Sequence, residues 1–167
     1  MYLTKIEGKQ ISISDSLEIN AEIENIIKPY RSHVNKGLDS VISHAVDTYS
    51  KSDGDFNTAI GNLFADAIFE QANFVFNKRT GKNIDVVLVN HGGIRAIISQ
   101  GNITTRTAYE IMPFENSLVV AEMTGKTITD SILYYLSKAK RAHPISGLKL
   151  TLNKDFNVDE ATINGEP

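Results

Sequence analysis

Residues 84–90 read IDVVLVN, and the chain then continues HGGIRA. A nearly unbroken β-branched run of this kind is what a strand buried on both faces requires. It constrains the chain to an α/β layer in which helices cover a sheet. The exit from the run is as informative as the run itself. In α/β sheets, ligands collect at the carboxyl ends of strands. Here such an end leads from Asn90 and His91 into Gly92 and Gly93, with Arg95 close behind. Glycine lets backbone N–H groups approach an anion, and a guanidinium can clamp phosphate or carboxylate with two prongs. The same residues also describe an ordinary glycine turn with Arg95 solvated or paired to an acid. The stretch is neither a Walker loop nor a dinucleotide fingerprint, since neither Gly-Lys-Ser/Thr nor the Gly-x-Gly-x-x-Gly spacing is present.

The bulk numbers remove several function classes. With 167 residues the chain can bury a core as one domain. Hydrophobic content of 41% and charged content of 22% are globular values. A net charge of −3 argues against sequence-independent binding to a nucleic-acid polymer, which calls for a basic excess. The absence of cysteine excludes thiolate zinc sites, disulfides and cysteine nucleophiles. No apolar stretch reaches the ~18–20 residues of a membrane span. The N-terminal MYLTKIEGKQ shows no basic region followed by an apolar one, so no signal peptide is visible.

Alternation in residues 9–14, KQISIS, predicts a short strand or extended arm. Asp15 or Ser16 is then placed to cap a helix running to Gly37, with Ile19, Ile23, Ile26, Ile27, Tyr30 and Val34 on one stripe. Pro29 should kink that helix or divide it. Residues 38–50 read as a strand, 51–55 as a turn, and 56–76 as an amphipathic helix with Ile60, Leu63, Phe64, Ala67 and Ile68 inward. A loop over 78–82 precedes the central strand. Beyond it come a helix over 104–112, a strand over 117–124, a helix over 126–142, and strands over 148–153 and 158–163.

A second candidate site is MPFEN, residues 112–116. Phe114 can stack on a planar ring and Asn116 can read hydrogen-bonding edges, although Phe114 can equally cover the edge of the core. The histidines, 33, 44, 91 and 143, lack the i, i+4 pairing of a metal site. His91 in the glycine turn reads most simply as a solvated loop residue. The acids form no paired-carboxylate constellation, and no Gly-x-Ser-x-Gly elbow supports a serine nucleophile. The residues alone point to anion and ring binding, beside the plainer readings of a glycine turn and a core-edge phenylalanine, and show no evident catalytic or metal-ligating set.

Five stretches, IGNLFADAI (60–68), VNHGGIRA (89–96), GNIT (101–104), IMPFEN (111–116) and MTGKTI (123–128), follow one another in an order and spacing that resembles the C-terminal domain of the 5′-nucleotidase family. That family includes periplasmic UDP-sugar hydrolases and cell-surface nucleotidases. The resemblance covers about residues 20–167 and implies a mixed sheet with packed helices over 18–167, preceded by an extended arm at 1–17. It also implies a division of labour. A calcineurin-like metallophosphatase domain, absent from this sequence, would hold two divalent metal ions and hydrolyse. This domain would bind the nucleotide or nucleoside and swing the phosphate to the metals. Matched residue by residue, Arg95 would contact phosphate and Asn90 would hydrogen-bond in the nucleoside pocket beside Gly92 and Gly93. Phe114 would stack on the base, and Asn116 would touch its edge. The implied location is periplasmic or otherwise extracytoplasmic.

This sequence departs from the family pattern in several places. No arginine precedes the Gly-Asn-Leu motif, where relatives often carry a second phosphate contact and this chain reads DGDFNTA. Glu115 and His91 replace residues that are small in many relatives. The family's next strand, second stacking aromatic and ribose-binding Gly-Gly-Asp segment fall beyond INGEP. Two histories fit, a fragment of a two-domain enzyme or a separately encoded domain with a metallophosphatase partner, and the second is the expectation. A stand-alone nucleotide- or nucleoside-binding module is the alternative function.

Overall fold

The computed structural model describes residues 7–167. It divides into two units, one ending at Leu38 and one running from Asp39 to Pro167. In the first unit, residues 9–14 form no strand. Helix α1 spans Ala21–Leu38 rather than starting after Asp15 or Ser16. The Asn20 side chain accepts from the N–H groups of Glu22 and Ile23 at 3.1 and 3.2 Å, which makes Asn20 the cap. The helix runs undivided through Pro29, and none of its residues is buried.

The second unit is mixed α/β, built on three two-stranded antiparallel sheets among the described residues. Strand β1 (Val41–Ala45) pairs with β3 (Gly101–Thr104), a strand that periodicity did not reveal. Helix α2 (Ala59–Thr80) begins where Thr58 adopts an extended backbone and its hydroxyl accepts from Gly61 N–H. It continues into the first three residues of the segment expected to be a loop, 78–82, and Gly81, at φ 72°, ends it. Ile60, Gly61 and Ala65 form its buried face, whereas Leu63 is exposed, so the inward stripe is rotated from the one expected.

The central strand is the main correction. β2 is only Val87–Leu88 and pairs antiparallel with β4, Ile145–Ser146. Val87 is buried and Leu88 is 40% exposed, so the run is not covered on both faces. Val89 N–H still donates to Pro144 O at 2.9 Å, but proline has no N–H to return, and the ladder stops there. Residues 117–124 form no strand at all, and Leu118, Val119 and Val120 are exposed. Their β-branched composition suits a strand, but a strand exists only with a neighbour.

Helix α3 (Thr105–Ile111) opens with a capping box between Thr104 and Thr107. Helix α4 (Gly125–Thr127), a π-helical stretch over Ile128–Leu133 and helix α5 (Tyr134–Ala139) follow end to end. Lys140, at φ 50°, closes this run short of residue 142. Strands β5 (Leu148–Leu152) and β6 (Val158–Ile163) form a hairpin. Between β4 and β5, Gly147 sits at φ 79°, and a Cβ there would fall 2.0 Å from Asp85 O, so only glycine fits.

Two apolar clusters result. One joins Ala45, Ile60, Ile94, Ile98 and Ile111, with Tyr49, Phe64 and Met112 packed on it. The other joins Leu133, Leu136 and Leu148. The first cluster positions the candidate site, because Ile94 is the residue before Arg95.

Candidate functional site

Asn90, His91, Gly92 and Gly93 form a single 3₁₀ turn rather than an open nest of amides. Asn90 shapes it twice. Its side-chain oxygen accepts from Gly92 N–H at 3.1 Å, and its backbone oxygen accepts from Gly93 N–H at 2.9 Å. Both glycine amides are therefore engaged within the turn, and neither glycine has a positive φ. What Gly92 contributes is room: a Cβ there would lie 3.3 Å from the Asn90 amide nitrogen, closer than side chains normally pack, whereas one on Gly93 would meet Met112 Cε at 3.7 Å, an ordinary contact.

Arg95 leaves this turn along a fixed backbone. Ile94 is 1% exposed in the first cluster, and Arg95 N–H donates to Ile111 O at 2.7 Å. That bond ties the turn to the end of α3, one residue before the MPFEN stretch. The guanidinium is exposed, touches Gly92 O at 3.4 Å, and stands 5.8 Å from the centroid of the Phe114 ring. A cation over an aromatic face at that distance is attracted by the ring quadrupole. The two motifs, distant in sequence, thus meet at one surface.

Phe114 is 56% exposed, so it is not serving as a core lid. The Asn116 amide donates to Phe114 O at 3.2 Å, closing a tight turn that leaves the Asn116 side-chain oxygen with no partner among the described residues. The amide nitrogen of Asn90 is likewise unused among them. Arg95 has no carboxylate partner there either.

His91 is anchored rather than solvated. Its Nδ1 lies 2.9 Å from Ala142 O, and because a carbonyl can only accept, Nδ1 carries the proton. His143 lies beside it, with ring centroids 6.1 Å apart, and its Nε2 meets the Tyr135 hydroxyl at 3.3 Å. Burial pushes the His143 pKa below its ordinary value, and the neighbouring His91 and Arg141 charges add to this, against a backbone hydrogen bond with Val89. A cavity of about 350 Å³ opens next to His143, between Phe56, Leu136, Arg141 and Phe156. None of Asn90, Gly92, Gly93, Arg95, Phe114 and Asn116 lines it. These six belong to an open surface.

Among the described residues, no three or more His, Asp or Glu side chains are grouped to hold a metal ion. The residues present therefore do not fit the two-metal centre that the resemblance implies for a neighbouring domain. No helix among them is long and apolar enough to cross a membrane. One half-buried cation beside the turn went unmarked in the sequence. Lys51 Nζ donates to Ile94 O at 2.8 Å, and no local pattern singles it out within KSDGD.

Comparison with known proteins establishes the family and the fold. Residues 39–167 match the family model described as 5′-nucleotidase, C-terminal domain. The cell wall protein Lmo0130 of Listeria monocytogenes is 32% identical over 86% of this chain, which spans 18% of that protein. Protein UshA of Escherichia coli is 27% identical over 96% of the chain, which spans 29% of it. Among solved structures, the 5′-nucleotidase precursor of Thermus thermophilus superposes with a TM-score of 0.64 at 26% identity, over 84% of this chain and 28% of that one. The chain thus corresponds to less than a third of each of these proteins. From Asp39 to Pro167, this protein belongs to the 5′-nucleotidase family as its C-terminal domain.

Proposed function

We propose that this domain recognises a nucleotide and presents its phosphate to a dimetal phosphoesterase domain outside this chain. Arg95 takes the phosphate and Phe114 stacks on the base. The free side-chain oxygen of Asn116 accepts from the base edge, and the free amide of Asn90 donates within the nucleoside pocket. The observation that carries the reading is the approach of the Arg95 guanidinium to the exposed Phe114 ring, 5.8 Å from its centroid. An anion site and a stacking surface side by side match the two chemically distinct halves of a nucleotide. Binding energy from the base would position the phosphate for chemistry performed elsewhere, where two metal ions would clamp attacking and leaving oxygens. The family membership and the name of the cell wall relative support a site of action outside the cytoplasm.

Calorimetric titration with AMP and adenosine, and with UMP and uridine, tests the binding half. Arg95→Ala should weaken the nucleotides and spare the nucleosides, whereas Phe114→Ala should weaken all four. Equal loss of nucleoside affinity in Arg95→Ala would refute the assignment of Arg95 to phosphate.

A further inference from the structure

We propose that the cavity beside His143 binds a small aromatic acid, at a site separate from the turn that carries Arg95. The proposal goes beyond the nucleotide-binding reading and does not rest on it. The cavity holds about 350 Å³ between Phe56, Leu136, Arg141 and Phe156. A second one of about 280 Å³ adjoins it and shares Phe56, His143, Ile145 and Leu150 as walls. Sites for small molecules begin at ~300 Å³ and combine an apolar lining with a few placed polar groups. None of the six residues assigned to the nucleotide lines either cavity.

The backbone of Phe156 is the first sign of a ligand. It stands at φ 58°, in the left-handed region, where a bulky side chain is a genuine outlier. The loop between β5 and β6 reads Asn-Lys-Asp-Phe-Asn over 153–157. Asparagine tolerates this conformation, yet phenylalanine occupies it. The loop is built to hold that residue. The Asn153 side-chain oxygen accepts from the N–H groups of Asp155 and Asn157 at 2.9 and 3.1 Å, and Phe156 N–H donates to Asn153 O at 2.9 Å. Lys138 Nζ reaches over from α5 and donates to the Asn157 side-chain oxygen at 3.0 Å. Strain of this kind persists where the surroundings over-determine it, and it collects at ligand clamps. Core packing does not account for it, because neither Phe156 nor Phe56 belongs to the two apolar clusters. The two rings instead stand 5.8 Å apart on the cavity wall.

Charge selects the ligand. Arg141 lines the first cavity and Lys149 the second, and no aspartate or glutamate lines either. Neither cation has an acidic partner among the described residues. Lys140, also left-handed at φ 50°, sets its ammonium 4.6 Å from the Phe156 centroid and adds a third positive charge at that end. A flat apolar body would lie against Phe56, Phe156, Leu136 and Leu150, with its carboxylate on the Arg141 fork.

The test titrates the full 167-residue chain with 1-naphthoate and with its neutral counterpart, 1-naphthalenemethanol, followed by backbone amide chemical shifts. The acid should bind roughly tenfold more tightly than the alcohol, with the largest shifts at Arg141, His143, Leu150 and Phe156. Arg141→Gln should lose about tenfold for the acid and keep the alcohol. Phe156→Asn should weaken both ligands, while its urea midpoint holds or rises because asparagine enters the left-handed region more readily. Saturating AMP should leave the affinity for the acid unchanged. Equal affinity for acid and alcohol, or binding of neither, would overturn the proposal, and so would displacement of the acid by AMP. A fall in the Phe156→Asn midpoint as large as that of a core truncation would make Phe156 a structural residue and remove the clamp.

Discussion

The two halves of the site are held in opposite ways. The turn from Asn90 to Arg95 is tied at every residue: by Asn90 to two amides, by His91 to Ala142, by Ile94 to the core and by Arg95 to Ile111. The stretch from Pro113 to Thr124 carries Phe114 and lies open, with no regular structure and Val119 86% exposed. The difference suits the two tasks proposed. Gripping a charge rewards a preorganised cation, since electrostatic complementarity depends on fixed geometry. Stacking on a ring tolerates adjustment, because any base offers a π-face.

The widest separation between the halves should appear in stability. Ile94→Ala removes a fully buried side chain and should cost ~2–5 kcal/mol. Phe114→Ala, on an exposed side chain, should stay within ~0.5 kcal/mol. Urea unfolding of the two variants checks this, and comparable losses would mean that the Phe114 stretch is part of the fold after all. Next in size comes ligand charge. Arg95→Ala should lower AMP affinity roughly ten- to hundredfold, the worth of a charge-assisted hydrogen bond, with adenosine as the control. Phe114→Ala should cost adenosine ~1–3 kcal/mol of binding, measured in the same titrations. Losses from Arg95→Ala and Phe114→Ala that fail to separate by ligand would erase the division of labour.

A smaller effect belongs to the His91 anchor. His91→Ala removes one hydrogen bond to Ala142 and should cost about 1 kcal/mol of stability. The loss should extend to AMP affinity, because the turn loses a tether. The smallest effect is on pH. The His143 pKa is lower in the folded chain than its ordinary value of about 6.5. The folded state therefore favours the neutral ring. Its contribution is complete above pH ~6.5 and is lost as pH falls toward and through the folded pKa. Urea midpoints between pH 8 and 5 should decline, and the decline should shrink in His143→Gln. A decline of equal steepness in that variant would assign it to other groups.

Some of this was legible in the residues and some was not, for physical reasons. Helices α2 and α3 were legible as helices, α2 because amphipathic spacing is a local signal, but the bounds of α2 moved from 56–76 to 59–80, and the caps Thr58, Gly81 and Thr104 that set the ends were not read from the residues. Strand β5 was legible from alternation and β6 as a strand at 158–163, but their pairing into a hairpin comes from the structure. The run at 84–90 misled because β-branched density records apolarity without naming a partner. Only Val87 and Leu88 are paired in β2, and Pro144 limits the ladder from the other side. Residues 117–124 misled in the same way, having the composition of a strand and no neighbour. Strand β3 went unseen because four residues with a mixed pattern become a strand only through Val41–Ala45. At the site, Arg95 and Phe114 could be named from their stretches, but their meeting depends on the Arg95–Ile111 hydrogen bond, a contact between distant residues. Lys51 was invisible for the same reason, and so was the engagement of both glycine amides by Asn90.

The central claim is that this domain holds a nucleotide and leaves the cutting to another domain. Its most direct test is phosphate release from AMP by the purified chain with millimolar Mn²⁺ or Mg²⁺, run beside calorimetry on the same sample. The account predicts measurable AMP binding, abolished or much weakened in Arg95→Ala, with no phosphate released above the protein-free control. Turnover by the wild-type chain that disappears in Arg95→Ala would contradict it, because binding and cleavage would then reside in the same 167 residues.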